Sequence, residues 1–138
     1  MIKSIFKTVT ATLMLLFVFC NSNGQNLKKT NAKSSAVSSI QIIQFHSENR
    51  CVTCNLIEKL TKETLQKYPA IPFKLINVDD KKNEKIAEQF EASGTALFLY
   101  NTKSSAKKDL TDFAFMNAKS KPDKFKKGLE KEINVFKK

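Results

Sequence analysis

Two cysteines, Cys51 and Cys54, lie three positions apart in the segment RCVTCN, immediately before a stretch with helical periodicity. Thiols at this spacing can interconvert between a dithiol and a disulfide, which makes the pair a candidate redox centre. The same spacing also suits half of a zinc site, but the sequence contains no second CxxC pair. Reversible thiol exchange is therefore the leading hypothesis.

The position of the pair at the predicted start of a helix favours reactivity. At a helix N-terminus, Cys51 meets unpaired backbone N–H groups and the positive end of the helix dipole, and both favour the thiolate. Arg50 adds a cation next to it and is expected to tune the pKa of the thiol downward. A purely structural disulfide is the simpler alternative, although a loop this short adds little stability.

A metal or metalloid site is the second hypothesis for the same thiols. His46, the single histidine, precedes Cys51 by five residues. Together with Cys51 and Cys54, it could form a set of two thiolates and one imidazole that binds a soft metal or trivalent arsenic. The alternative for His46 is a loop histidine that is hydrogen-bonded near the end of a strand.

The N-terminus has the features of an export signal. Residues 1–7 carry two lysines and no acid, and residues 10–19 are nearly all apolar. This run is shorter than the roughly 20 apolar residues that span a bilayer, so no membrane anchor is expected after cleavage. Cleavage after Gly24 predicts a signal peptide over residues 1–24 and a periplasmic protein.

Cys20 offers a different processing route, since a lipid on this cysteine would anchor the protein to the membrane. Phe19 precedes it, where bacterial lipoprotein signals normally place Gly, Ala or Ser. We therefore favour cleavage after Gly24. Two cysteines then remain in an exported chain, which is where disulfides persist.

The remaining sequence alternates between strand and helix patterns. A chain of 138 residues, 41% of them hydrophobic, fits one globular domain. Residues 25–37 are polar and lack periodicity, so they are predicted to be a disordered linker to a domain over residues 38–138. The predicted strands are 40–45, 73–78, 96–100 and 110–116, and the predicted helices are 51–68, 83–91 and 122–136. One face of the last helix is predicted to be lined by Phe125, Leu129, Ile133 and Phe136. Further predicted core residues are Phe73, Phe98, Phe113 and Phe115.

This order resembles that of thioredoxin-like domains, with the CxxC pair at the start of the first helix. Residues 76–80, 85–90 and 92–95 also resemble the second half of thioredoxins. The resemblance covers residues 38–138 and implies a three-layer α/β/α fold with a central mixed sheet. Within it, the segment from His46 to Cys54, followed by Ile57 and Glu58, is most similar to the exported ArsF family, labelled a nitrophenyl compound nitroreductase subunit.

The resemblance also implies roles for individual residues. Cys51 would be the exposed attacking sulfur and Cys54 the resolving one, and the loop at Thr95 and Ala96 would face the thiols and the substrate. The sequence departs from thioredoxins at Arg50, where they usually have Trp, and at Ala96, where they have a cis-proline. It departs again at Gln44, which takes the place of a buried acid.

Together these observations predict an exported thiol-disulfide oxidoreductase that acts on partner protein disulfides in the cell envelope. The alternative is a metal or arsenite binding module that uses Cys51, Cys54 and His46. No Gly-rich phosphate loop, HExxH or serine-hydrolase elbow is present, so no cofactor is predicted. The formal net charge of +11 is carried by lysines interspersed with acids, and for an exported protein it indicates a solvated basic surface rather than a nucleic-acid site.

Overall fold

The computed structural model describes residues 38–137. The predicted signal peptide, Cys20 and the predicted linker therefore lie outside the described residues. The strands are β1 Ile40–His46, β2 Phe73–Asn77, β3 Ala96–Asn101 and β4 Lys107–Asp109. The helices are α1 Val52–Leu65, α2 Glu84–Gln89, α3 Thr111–Ala118 and α4 Pro122–Phe136, and a short 3-10 turn Lys81–Asn83 precedes α2.

The four strands form one mixed sheet in the order β2-β1-β3-β4. β1 pairs in parallel with β2 through the α1 crossover, whereas β3 is antiparallel to both β1 and β4. β1 is central and buried on both faces, as its run of apolar residues requires. This order and these strand directions give the thioredoxin-like fold that the sequence predicted.

Two apolar cores cover the two faces of the sheet. On one face, Ile42 of β1 packs with residues of α1, α3 and α4. On the other face, Ile43 and Phe45 pack with Ala87 and Phe90 from α2 and the residue that follows it. Side chains of successive strand residues point to opposite faces, so β1 supplies both cores. The three layers are therefore α1, α3 and α4, then the sheet, then α2.

The predicted strand at residues 110–116 is wrong, because α3 occupies this segment and the last strand is the preceding β4. Leu110, Ala114 and Ala118 recur at helical spacing and are all buried. The Asp109 carboxylate accepts a hydrogen bond of 2.7 Å from the backbone N–H of Thr111, the first residue of α3.

Two smaller differences concern α1 and Phe115. α1 ends at Leu65 rather than near Tyr68, and the chain continues in turns towards Pro69. Phe115 was predicted to be a core residue, but it is 41% exposed on α3. The predicted inner face of α4 is confirmed, with its central members fully buried. No helix within residues 38–137 combines the length and the apolar character needed to cross a membrane.

Candidate functional site

Cys51 and Cys54 form a disulfide at the N-terminus of α1. Cys51 is the N-cap residue and is exposed, and its Sγ accepts a hydrogen bond of 3.1 Å from the Cys54 backbone N–H. Cys54, one turn into the helix, is only 5% exposed. A reacting molecule therefore has access to the sulfur of Cys51, and the backbone N–H would stabilise a thiolate there after reduction.

Two polar side chains from outside α1 contact Cys54. Gln44, on the central strand, donates a hydrogen bond of 3.0 Å from its Nε2 to the Cys54 carbonyl oxygen. Thr95 donates a hydrogen bond of 3.2 Å from its Oγ1 to the Cys54 Sγ. The buried cysteine is thus held from the sheet through its backbone and from the loop before β3 through its sulfur.

The loop predicted to face the thiols does so through Thr95. Ala96 follows as the first residue of β3 and pairs with Phe45 of β1, which fixes the loop against the sheet. All peptide bonds within residues 38–137 are trans, including the one between Thr95 and Ala96. A methyl group added at Gly94 would lie 3.8 Å from the Ser47 Oγ, so this loop also lies beside the segment that leads to Cys51.

Arg50 is engaged by a carboxylate. Its Nη1 lies 2.6 Å from the Glu58 Oε2, and Lys62 binds the other oxygen of the same carboxylate. Burial acts to raise the pKa of Glu58, but the hydrogen bonds from Lys62 and Arg50 outweigh it and the pKa is lowered. The cation next to Cys51 is therefore partly neutralised, which weakens the effect predicted for Arg50 on the thiol.

His46 ends β1 and is half-buried, and its Nδ1–H donates a hydrogen bond of 2.9 Å to the Ser47 carbonyl oxygen. This is the local contact expected for a structural loop histidine. Within residues 38–137, no three or more His, Cys, Asp and Glu side chains form a group that could hold a metal ion. The structure thus does not assemble His46 with the two cysteines as a ligand set.

A groove next to the loop was not anticipated from the sequence. It has a volume of about 460 Å³ and shares Gly94, Thr95 and Ala96 with the disulfide site. Phe90 and Lys107 also line it, and the Lys107 ammonium stands 5.1 Å from the centre of the Phe90 ring. Most of the lining comes from residues 90–98, and the pairing of β3 with β4 adds Lys107 and Asp109, which no local sequence signal indicates.

Sequence reasoning also missed two contacts at the site itself. Glu58 was noted only as part of a resemblance, although it holds Arg50. Gln44 was noted only as a substituted position, although it anchors Cys54. A polar residue within an otherwise apolar buried strand was the available signal for Gln44.

No family model and no curated protein matches this chain. Among solved structures, thioredoxin f2 of Chlamydomonas reinhardtii is 21% identical over 54% of this chain and 67% of its own, with a TM-score of 0.43. Oxidised mitochondrial thioredoxin 3 of Saccharomyces cerevisiae is 19% identical over 68% of this chain and 79% of its own, with a TM-score of 0.46. A malarial protein is 20% identical over 56% and 92%, with a TM-score of 0.41.

Likeness at this level shows the fold and does not extend to activity, which depends on the residues of the site. The described residues combine an exposed sulfur, a buried sulfur bonded to it, and backbone and hydroxyl donors to both. In this arrangement the disulfide can be reduced and re-formed while the buried sulfur of Cys54 stays in place. Residues 38–137 thus form a thioredoxin-like domain with a solvent-accessible disulfide at the N-terminus of its first helix.

Proposed function

We propose that this protein is a thiol-disulfide oxidoreductase that acts on disulfides of partner proteins. The observation that carries the proposal is the disulfide between exposed Cys51, at the cap of α1, and buried Cys54. A structural bridge would gain nothing from exposing one sulfur at a helix N-terminus. Exchange chemistry needs an exposed and a buried sulfur, because the first must react with the partner disulfide and the second must then attack the mixed disulfide.

The reaction follows from this arrangement. In the reduced domain, the Cys51 thiolate attacks one sulfur of a partner disulfide, and the partner's other sulfur leaves as a thiolate that takes a proton from water. Cys54 then loses its proton and attacks the Cys51 Sγ, so the partner's second sulfur leaves as a thiolate. The partner disulfide gains two electrons and the cysteine pair loses two, and the reverse sequence oxidises a partner dithiol.

The proposal includes export of the protein to the periplasm by residues 1–24, with partners in the cell envelope. It is supported by the basic start, the apolar run and the small residues before Gln25. We also propose membership of the ArsF family, on the basis of the segment from His46 to Cys54 with Ile57 and Glu58. Mass spectrometry of the protein in a periplasmic extract of cells that express the full-length chain tests the first point, since a mature N-terminus at Gln25 is expected.

Trapping experiments test the exchange roles. Reduced Cys54→Ser protein should accumulate a mixed disulfide with a partner, because the resolving sulfur is missing. The matched variant Cys51→Ser should trap none, because the remaining sulfur is buried. Acid quenching followed by electrophoresis without reductant measures both. Equal trapping by the two variants would contradict the assigned roles.

A redox titration of the disulfide separates a catalytic pair from a structural one. A reversible two-electron transition between about −120 and −270 mV, the range of known thiol oxidoreductases, is expected. A disulfide that resists reduction below about −300 mV would indicate a structural bridge. No contact of the described residues favours the metal or arsenite alternative, and stoichiometric thiol-dependent binding of arsenite by the reduced protein would be needed to revive it.

A further inference from the structure

Gln44 is a polar side chain without exposure in the centre of the sheet. It lies between Ile43 and Phe45, both fully buried, and pairs across the sheet with Leu75 and Leu97. Its Nε2 donates to the Cys54 carbonyl oxygen, but its Oε1 is buried without a hydrogen-bond partner among the described residues. A buried unpaired acceptor is costly and rare, so a role beyond packing is a reasonable expectation.

The groups that contact Cys54 are poor proton acceptors. The Gln44 amide does not ionise, and the Thr95 hydroxyl acts as a donor to the Cys54 Sγ. Within residues 38–137, the hydrogen bonds of the Cys54 side chain and of its backbone N–H and carbonyl to other side chains involve Thr95, Cys51 and Gln44, and none involves a carboxylate or an imidazole. Burial disfavours the thiolate of Cys54, which must form before this sulfur can attack. When Cys54 resolves a mixed disulfide, no hydrogen-bonded base takes up its proton, which must therefore reach water.

We propose that Gln44 is a positioning residue that keeps Cys54 as a hydrogen-bonded thiol, so that the mixed disulfide at Cys51 is long-lived and the domain favours isomerisation over net reduction. This inference rests on the proposed oxidoreductase function. The Nε2–H holds the Cys54 backbone, and the Oε1 supplies an acceptor for the Cys54 S–H once the disulfide has opened. The amide accepts this hydrogen bond without removing the proton.

While the mixed disulfide persists, another thiol of the same partner molecule has time to attack it. A second thiolate of the partner attacks the partner sulfur that is bonded to Cys51. A new disulfide forms within the partner, and Cys51 leaves as a thiolate, so no net electrons are exchanged. The substrate class is thus a polypeptide with at least three cysteines and an incorrect disulfide, rather than one with a single disulfide to be reduced.

The test compares mixed-disulfide lifetimes in protein produced from the full-length chain. The probe is a synthetic peptide with one intrachain disulfide, mixed with reduced wild type, Gln44→Glu or the uncharged control Gln44→Met, and acid-quenched for mass analysis. Positioned bases typically accelerate proton transfer by at least about a hundredfold, so Gln44→Glu should shorten the lifetime at least about tenfold. Gln44→Met should keep a long lifetime, because it supplies no base.

A three-cysteine peptide with a mispaired disulfide gives the second readout. Wild type should convert it to other pairings faster than it reduces it, and Gln44→Glu should reverse this ratio. Equal lifetimes for wild type and Gln44→Glu, or a Gln44→Met lifetime as short as that of Gln44→Glu, would overturn the proposal. Circular dichroism of each variant verifies its fold before the comparison.

If the buried carboxyl prevents Gln44→Glu from folding, the lifetime of the mixed disulfide in the wild-type protein tests the proposal. The mixed disulfide should then be the main protein species during single-turnover reduction of the one-disulfide peptide, and failure to accumulate would overturn the inference. The Cys54→Ser variant distinguishes failure of the proposed oxidoreductase function from failure of the proposed role of Gln44. If it forms no adduct, the proposed function fails; if it forms one while wild type accumulates none, only the role of Gln44 fails.

Discussion

At the scale of single residues, the site depends on different environments for two chemically identical side chains. Cys51 is exposed at a helix cap, where backbone donors stabilise negative charge. Cys54 is buried against the sheet and bound by Gln44 and Thr95. Spacing three residues apart on a helix produces this difference directly, because the first position precedes the helix and the second faces the core. The environments, rather than the thiols themselves, favour different roles for the two sulfurs.

Glu58 provides a test of electrostatics at this scale. Its pKa is lowered, so its ion pairs with Arg50 and Lys62 contribute stability at pH values above its ordinary pKa of 4.5 and lose it as pH falls through the lower folded value. Glu58→Gln should therefore reduce the free energy of unfolding at pH 7 by about 1 kcal/mol. Urea unfolding of both proteins at a series of pH values measures the difference.

The measurements at acid pH serve as the control for this experiment. The difference between Glu58→Gln and wild type should shrink as the pH falls below 4.5, since the wild-type carboxyl then becomes protonated. A difference that is constant from pH 7 to pH 3 would show that packing, and not charge, is responsible. The variant also frees Arg50, so the rate of alkylation of reduced Cys51 at neutral pH should increase.

At the scale of elements, α3 and α4 pack through a close approach at Gly128. A Cβ atom built on Gly128 would lie 2.5 Å from two atoms of the Phe113 ring, and this ring stacks on Phe125 at 5.7 Å between centroids. Glycine in the middle of a helix costs about 1 kcal/mol relative to alanine. Glycine is nevertheless suited to position 128, because the ring of Phe113 occupies the space that a Cβ atom would need.

Gly128→Ala should consequently destabilise the protein by about 1 to 2 kcal/mol, despite the better helix propensity of alanine. In a Phe113→Ala background the space is empty, and the same substitution should instead stabilise by about 1 kcal/mol. Chemical unfolding of the four proteins in this cycle gives both values. Stabilisation by Gly128→Ala in both backgrounds would mean that the Phe113 ring moves aside without cost.

The same region shows where prediction from sequence fails for an element. The segment from Leu110 to Ala118 contains two phenylalanines, a residue type common in strands, and also the helical spacing of Leu110, Ala114 and Ala118. Periodicity alone does not decide between a strand and a helix in so short a segment. The tertiary structure decides it, since the Leu97 backbone N–H donates to the Thr111 hydroxyl and so fixes the start of α3 against β3.

At the scale of the whole molecule, the described residues contain a complete sheet with an apolar core on each face. β1 begins at buried Ile40, and the Ser38 backbone N–H already bonds the Ala70 carbonyl oxygen at 3.2 Å. Among the described residues, the buried members of both cores lie within residues 40–133, and four strands form one sheet. A domain with its own core is expected to fold alone.

Residues 38–138 should therefore unfold cooperatively, with the same denaturation midpoint as residues 25–138. The physical reason is that residues 38–137 supply an apolar core on each face of a four-stranded sheet. Thermal unfolding followed by circular dichroism of the two chains, each with the disulfide intact, measures this. A midpoint that falls by more than about 4 °C, or about 1 kcal/mol for a domain of this size, would show that the upstream residues stabilise the fold.

The sequence by itself determined the order of strands and helices from β1 to β3, the inner face of α4 and the position of Cys51 and Cys54 at the start of α1. These features depend on neighbours within one or two helical turns, which a linear pattern records. Only the tertiary structure decided what surrounds the thiols. Gln44 lies 10 positions and Thr95 lies 41 positions from Cys54, and both reach it because β1 and β3 pair in one register. A shift of one residue would turn these side chains to the opposite face, and no local pattern specifies that alignment.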